Sequence, residues 1–267
     1  MIKSLRRVRL GDPREDLERR EAVARGIAWM RSMQNRDGGW GAFDRGCDKE
    51  FLTYVPFADH NAMIDPSTSD ITARAIEAFR GVGVGAGAPE LRCAAEFLRR
   101  QQEADGSWYG RWGCNYLYGT WLALQGLRAV GEGLDGERFE RGLAWIRGCQ
   151  NADGGWGELP LSYDDPGRKG EGPSTAAQTA WALMGLFAAG DFTSEAVRRG
   201  IDHLLQRQGE GGGWHDEHWT GTGFPKVFYL RYHLYATYFP LHALALYEAR
   251  RAAGGGERRA AGTGDPS

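Results

Sequence analysis

Apolar residues recur with helical spacing in eight segments of this chain, and the segments come in pairs. The first members of the pairs cover residues 22–33, 91–102, 139–150 and 196–208; the second members cover 70–79, 117–130, 175–189 and 235–251. After every first member the same turn returns. Gln34 to Trp40, Gln102 to Trp108, Gln150 to Trp156 and Gln208 to Trp214 each make a step of six, with a glycine one or two residues ahead of the indole. The repeating unit is therefore helix, Gln–Trp turn, helix. Glycine permits the positive φ at which a helix ends, and the glutamine amide can reach backbone groups that the ending helix leaves exposed. The indole offers an apolar plate to the glutamine stem and to the next unit. Such units cannot bury their faces singly and must stack. The predicted class is all-α, with alternating inner and outer helices curving into an α/α-barrel that four units leave incomplete on its N-terminal side.

Residues 1–12 form a basic arm, 13–251 the helical domain, and 252–267 an Ala/Gly/Arg tail expected to be disordered. Pro13 suits the first turn of a helix, with Glu15 and Asp16 near its positive end. Long connections interrupt the pairs. Residues 43–69 carry Phe43, Phe57, Asp59, His60 and Asp65, and Asp70 opens the helix that follows. Residues 109–120 hold Trp112, Tyr118 and two further tyrosines; 161–174 hold Tyr163, Asp164 and Asp165, with Ser174 or Thr175 placed to cap a helix. The last insertion carries Phe224, Phe228, Tyr232 and Tyr235. Alternating patterns that would mark strands are missing.

Composition narrows the functional classes. A formal charge of −2, from 33 basic and 35 acidic residues, argues against a nucleic-acid partner. The apolar runs are too short to span a bilayer, and no secretory or transit signal is evident. Cys47, Cys93, Cys114 and Cys149 are widely spaced and fit reduced thiols. The spacing of His60, His215, His218 and His233 matches no zinc signature, so no metal site is expected. There is no P-loop, dinucleotide-binding glycine motif or convincing Ser-His-Asp set.

In a ring of such units the insertions gather at one end and face a central cavity. The lining drawn from the sequence is Phe43, Phe57, Trp112, Tyr118, Phe224, Phe228, Tyr232 and Tyr235. Aromatic faces suit an intermediate with positive charge on carbon, and an oily chamber excludes the water that would quench it. Plain core packing for these rings, and capping for Asp59, Asp65 and Asp70, stay open at this level.

The Gln–Trp repeats, Gly110-Arg111-Trp112-Gly113-Cys114-Asn115-Tyr116-Leu117-Tyr118-Gly119, the segment Gly172-Pro173-Ser174-Thr175-Ala176-Ala177-Gln178-Thr179-Ala180-Trp181, and Thr220-Gly221-Thr222-Gly223-Phe224-Pro225 together resemble the C-terminal part of squalene-hopene cyclases. The resemblance implies a two-domain α/α-barrel enzyme on the cytoplasmic side of a membrane, peripheral or monotopic, that folds squalene in an aromatic cavity. There an aspartic acid protonates the terminal alkene, and cations lead to hopanoid products without metal or cofactor. It casts Trp112, Phe224 and Phe228 as cation-stabilising, Phe43 (where a tyrosine is common), Tyr118, Tyr232 and Tyr235 as pocket residues, and Asp70 as a carboxylate that organises the protonation site.

Two departures follow from the same resemblance. The family's Asp-x-Asp-Asp-Thr-Ala acid motif lies upstream of the matched region, and Arg74 stands where a histidine usually partners the acid. An arginine would hold a nearby aspartate ionised, a poor state for protonating an alkene. The sequence thus points to a cyclase fragment, truncated or split, that needs a polypeptide carrying the missing barrel helices. The alternative is a non-catalytic isoprenoid-binding or assembly protein; a zinc prenyltransferase would require ligands that the sequence does not show.

Overall fold

The computed structural model describes residues 2–55, 63–132 and 136–261. Helices α1 (Ile2–Arg7) and α2 (Pro13–Ser32) precede the first Gln–Trp turn, followed by α3 (Ser69–Gly81) and α4 (Pro89–Arg100). The pattern continues with α5 (Tyr116–Ala129), α6 (Glu137–Gly148), α7 (Ala176–Ala188) and α8 (Glu195–Arg207). A hairpin of β1 (Gly221–Phe224) and β2 (Phe228–Leu230) leads into α9 (Tyr235–Ala261).

Helices α3, α5, α7 and α9 pack side by side as an inner row. Outside it, α4 bridges α3 and α5, α6 bridges α5 and α7, and α8 lies on α7. Sequence composition explains the layering. Helices α5 and α7 are apolar around nearly their whole circumference, with Trp121, Leu122, Leu124, Trp181 and Leu183 almost fully buried. Helices α4 and α8 bury one stripe and expose arginines on the other side, as expected of an outer layer. Among the described residues, no extensive packing joins α9 back to α1, α2 or α3.

The four turns are built alike. Each indole N–H donates to the carbonyl ten residues earlier: Trp40 to Met30 at 2.8 Å, and Trp108, Trp156 and Trp214 to Leu98, Ile146 and Leu204 at 2.7 Å. Each glutamine amide donates to the glycine carbonyl four residues on, as from Gln102 to Gly106 at 3.0 Å. Those glycines, Gly38, Gly106, Gly154 and Gly212, all have φ between +80° and +96°, where a side chain is strained. In three units the tryptophan's backbone N–H also meets a threonine hydroxyl of the following inner helix: Thr72, Thr120 or Thr179, at 2.9–3.0 Å.

Three details differ from the sequence pattern. The β1–β2 hairpin is a short antiparallel pair with an irregularity between Thr222 and Phe224; strands of four and three residues are too short to show an alternation. Helix α9 is continuous from Tyr235 to Ala261, past the Arg251 at which the apolar pattern ends. Trp29, on the apolar stripe of α2, is 59% exposed. Thr175 rather than Ser174 caps α7, its hydroxyl accepting from the Gln178 amide, and the four cysteines are free.

Candidate functional site

The connections before α3, α5 and α7 meet the β1–β2 hairpin at one end of the inner row. Buried carboxylates hold them there. Asp70, 1% exposed in the first turn of α3, accepts from the backbone N–H groups of Arg111 at 3.1 Å and Trp112 at 2.9 Å, and from Ile71 at 3.0 Å. Glu158 accepts from Asn115 at 3.1 Å and Leu117 at 2.9 Å, satisfying amides at the start of α5. Asp216 does the same for Ala176 and Ala177 at the start of α7, and Asp65 gathers the amides of residues 42, 43 and 44. A helix start presents unpaired N–H groups and positive potential, which a carboxylate satisfies. Burial pushes the Asp70, Glu158 and Asp216 carboxyls above their ordinary range, while the amide hydrogen bonds pull them back.

Two rows of rings are fixed on this frame. In the first, Phe43 meets Trp112 edge-on at 5.6 Å, Trp112 meets Phe224 at 5.9 Å, and Phe224 meets Phe228 at 6.0 Å. In the second, Tyr118 lies 4.9 Å from Trp181, Trp181 lies 6.0 Å from Tyr235, and Tyr235 stacks on Tyr232 at 4.7 Å. Trp121, Tyr238 and Phe239 join the second row. Gly113 and Gly221, paired strand to strand, lie between the rows. A methyl group at Gly113 would press to 2.6 Å from the Tyr118 ring, and one at Gly221 would run into Tyr232. The Tyr163 hydroxyl, 2.8 Å from the Gly110 carbonyl, 2.9 Å from that of Gly113 and 2.9 Å from the Thr222 hydroxyl, ties this loop to the hairpin.

The wall is half wet. Phe43 is 66% exposed, Phe228 38% and Tyr232 42%, whereas Trp181 is fully buried. Of the residues singled out in the sequence, Phe43, Trp112, Phe224 and Phe228 share one row, and Tyr118, Tyr232 and Tyr235 the other; Phe57 lies outside the described residues. Asp70 serves the loop backbone, its oxygens turned to amides rather than to the open side. The Arg74 guanidinium sits 5.0 Å from the Trp121 ring centroid and 3.5 Å from Glu77, near the Tyr118 hydroxyl. Burial pushes that hydroxyl up to about 12, with Arg74 opposing.

Sequence reasoning missed Glu158 and Asp216 as organising groups, although both stand two residues after a repeat tryptophan and could have been found by that spacing. Tyr163, Tyr238 and Phe239 had no such signal. Among the described residues, no group of three or more His, Cys, Asp or Glu side chains could hold a metal ion, and no helix is long and apolar enough to cross a membrane.

Comparison with known proteins completes the description. The model of the squalene-hopene cyclase C-terminal domain matches residues 1–249. A squalene–hopene cyclase of Zymomonas mobilis is 47% identical over 91% of this chain and 37% of its own length. One of Alicyclobacillus acidocaldarius is 44% identical over 93% and 39%, and a dammaradiene synthase of Dryopteris crassirhizoma is 43% identical over 89% and 38%. The chain thus spans little more than a third of these relatives. Among solved structures, a type II terpene cyclase from Scytonema superposes with a TM-score of 0.56 at 18% identity, covering 90% of this chain and 69% of that one. The likeness is one of fold: terpene-cyclase α/α-barrel architecture.

Proposed function

We propose a cyclase role from one premise: this chain belongs to the squalene-hopene cyclase C-terminal domain family. It forms the cation-facing wall of a polyprenoid cyclase, with squalene as the substrate. The acid that starts the reaction comes from a polypeptide segment outside these 267 residues, and the assembled enzyme works at the cytoplasmic face of a membrane. The observation that carries this is the pair of aromatic rows, held by buried carboxylates and open on one side.

In the reaction, a carboxylic acid gives its proton to a terminal alkene, and the resulting tertiary cation is attacked by the next double bond in turn. The last cation either loses a proton to a base or adds water and then loses a proton from the resulting oxonium, which restores the proton spent at the start. Trp112, Phe224 and Phe228 supply π-faces along one stretch of that path, and Tyr118, Tyr232 and Tyr235 along another. A ring face stabilises a desolvated cation by about 2 kcal/mol. Asp70 positions Trp112 through the loop backbone and hands on no proton. Arg74 stands over Trp121 beside the second row, its charge offset by Glu77.

The test is incubation with squalene, first of the chain alone and then with a polypeptide carrying the Asp-x-Asp-Asp motif, with products read by gas chromatography and mass spectrometry. Cyclised product from the mixture alone is expected; none under either condition refutes the proposal. A second possibility, a non-catalytic isoprenoid binder, is favoured by one feature: both Asp70 oxygens are taken up by backbone amides. Saturable squalene binding with no product in the mixture would select it.

A further inference from the structure

The second row of rings ends where it begins. Tyr118 leads to Trp181 at 4.9 Å, Trp181 to Tyr235 at 6.0 Å and Tyr235 to Tyr232 at 4.7 Å, and the two end rings rest on one backbone joint, the Gly113–Gly221 pair. A methyl built on Gly113 would lie 2.6–2.9 Å from three atoms of the Tyr118 ring, and one built on Gly221 would run into the Tyr232 ring. Carbon atoms in ordinary contact stand about 3.5–4.0 Å apart, so either ring would have to retreat by about 1 Å or more. Residues directly opposed in an antiparallel pair project to the same face. The two missing side chains therefore leave one bare patch, on which both ends of the row are laid.

Backbone conformation does not call for these glycines. Neither has a positive φ, and glycine weakens strand pairing, yet it stands on both sides of the bridge. What excludes a side chain is the approach of the rings. The surface they lean on is fixed, for the Cys114 amide donates to the Thr220 carbonyl at 2.9 Å and the Tyr163 hydroxyl lies 2.9 Å from the Gly113 carbonyl.

From this geometry we propose that Gly113 and Gly221 are positioning residues that set product specificity, an inference that rests on the cyclase reading above. They act through Tyr118 and Tyr232, whose depth in the chamber they fix. Because both ends of the row stand on one joint, the spacing of the end rings belongs to the glycine pair, and with it the stretch of polyene along which a cation is held. The two positions differ in what surrounds them. Tyr118 is wedged against Trp121 at 5.8 Å and Trp181 at 4.9 Å, so a methyl at Gly113 would push into packed core. Tyr232 is 42% exposed and has room to give way. Gly221 is thus the place where the chamber can be retuned with the fold kept.

The test compares Gly221→Ala with the parent, each as the full chain mixed with a polypeptide carrying the Asp-x-Asp-Asp motif and given squalene, with melting temperatures taken alongside. With Tyr232 set back, a cation that reaches the second row is held less well and is quenched sooner. The ratio of incompletely to fully cyclised product should rise about tenfold, roughly the weight of one ring contact. In a Tyr232→Ala background no ring is left to displace, so the same substitution should change the ratio by less than about twofold; such a cycle isolates the coupling of the two positions. Should Gly221→Ala fail to fold, Tyr232→Ala should restore folding, because the clash is with that ring. The proposal is overturned by an unchanged ratio in folded Gly221→Ala, by an equal change with and without the Tyr232 ring, or by a misfolded Gly221→Ala that Tyr232→Ala does not rescue. No product from the parent mixture would bring down the cyclase reading and this proposal together, whereas parent product with an unchanged ratio in the variant brings down this proposal alone.

Discussion

Asp70→Asn separates anchoring from proton chemistry. The carboxylate accepts three backbone amides, two of them from the loop that carries Trp112. An asparagine offers one acceptor oxygen in place of two, so if that oxygen turns to Arg111 and Trp112, its NH2 group confronts the Ile71 amide. At least one hydrogen bond to a charged group is lost and the others become neutral, a cost of about 2 kcal/mol after relief of the buried charge. For a domain of this size that lowers the melting temperature by about 4–8 °C at neutral pH.

Acidity gives the same substitution a second signature. Burial raises the Asp70 pKa in the folded chain, so its contribution is fully present below the ordinary aspartate value and declines as pH rises through the raised one. Asparagine cannot titrate. The stability gap between the parent chain and the variant should therefore widen as pH is lowered from about 7 to about 4. Calorimetry across that range measures it, and squalene turnover of the complemented mixture is read alongside. An unchanged melting temperature with turnover abolished would refute the anchoring role and return Asp70 to the chemistry. A gap that narrows on acidification would refute the direction of the burial effect.

Gly106→Ala should cost at least about 3 kcal/mol, because φ is +96° and the new methyl would lie 2.5 Å from the Arg141 carbonyl; Gly131→Ala, with φ at +86° but open space around it, should cost about 1 kcal/mol, and equal losses in chemical denaturation would deny the helix contact. Glu158→Ala strips the acceptor from two buried amides at the start of α5 and should cost about 3 kcal/mol, checked by urea unfolding. Trp112→Ala should lower turnover of the complemented mixture at least about tenfold with a stability loss of about 1–2 kcal/mol; unchanged turnover and stability would remove Trp112 from the wall.

The repeat was legible because its contacts are local. Gln34 and Gly38, or Trp108 and Leu98, sit within ten residues of one another, so their spacing is written four times over. The aromatic set was legible by clustering, since Trp112 with Tyr118 and Phe224 with Phe228 are near neighbours in the chain. The frame beneath them was not. Asp70 reaches 41 and 42 residues ahead to Arg111 and Trp112, and Glu158 reaches 43 residues back to Asn115. No period records such pairs, and a lone carboxylate near a helix start looks like a cap for its own helix. The joint between this loop and the hairpin was hidden for a related reason: Gly113 pairs with Gly221 across 108 residues, and glycines carry no side-chain pattern to betray it.

The placement of the charges argues for a division of labour within the proposed enzyme. A group that protonates an alkene must be neutral, carry its proton toward the substrate, and be regenerated afterwards. Burial pushes Asp70 and Glu158 toward the neutral form, but both fail the second condition, because each faces amide N–H groups that only an oxygen lone pair can satisfy. Asp216 is likewise spent on α7. What these carboxylates do instead is hold rings still. Trp112 is placed by Asp70, Phe43 by Asp65, and the Gly113 joint by Tyr163. A ring that could swing away would lose its attraction for a cation passing within a few ångströms, since that attraction falls off steeply with distance and angle. On the proposed function, rigid placement of the wall would govern where charge rests along the polyene, and hence which product forms, and initiation would fall to an acid free of backbone partners.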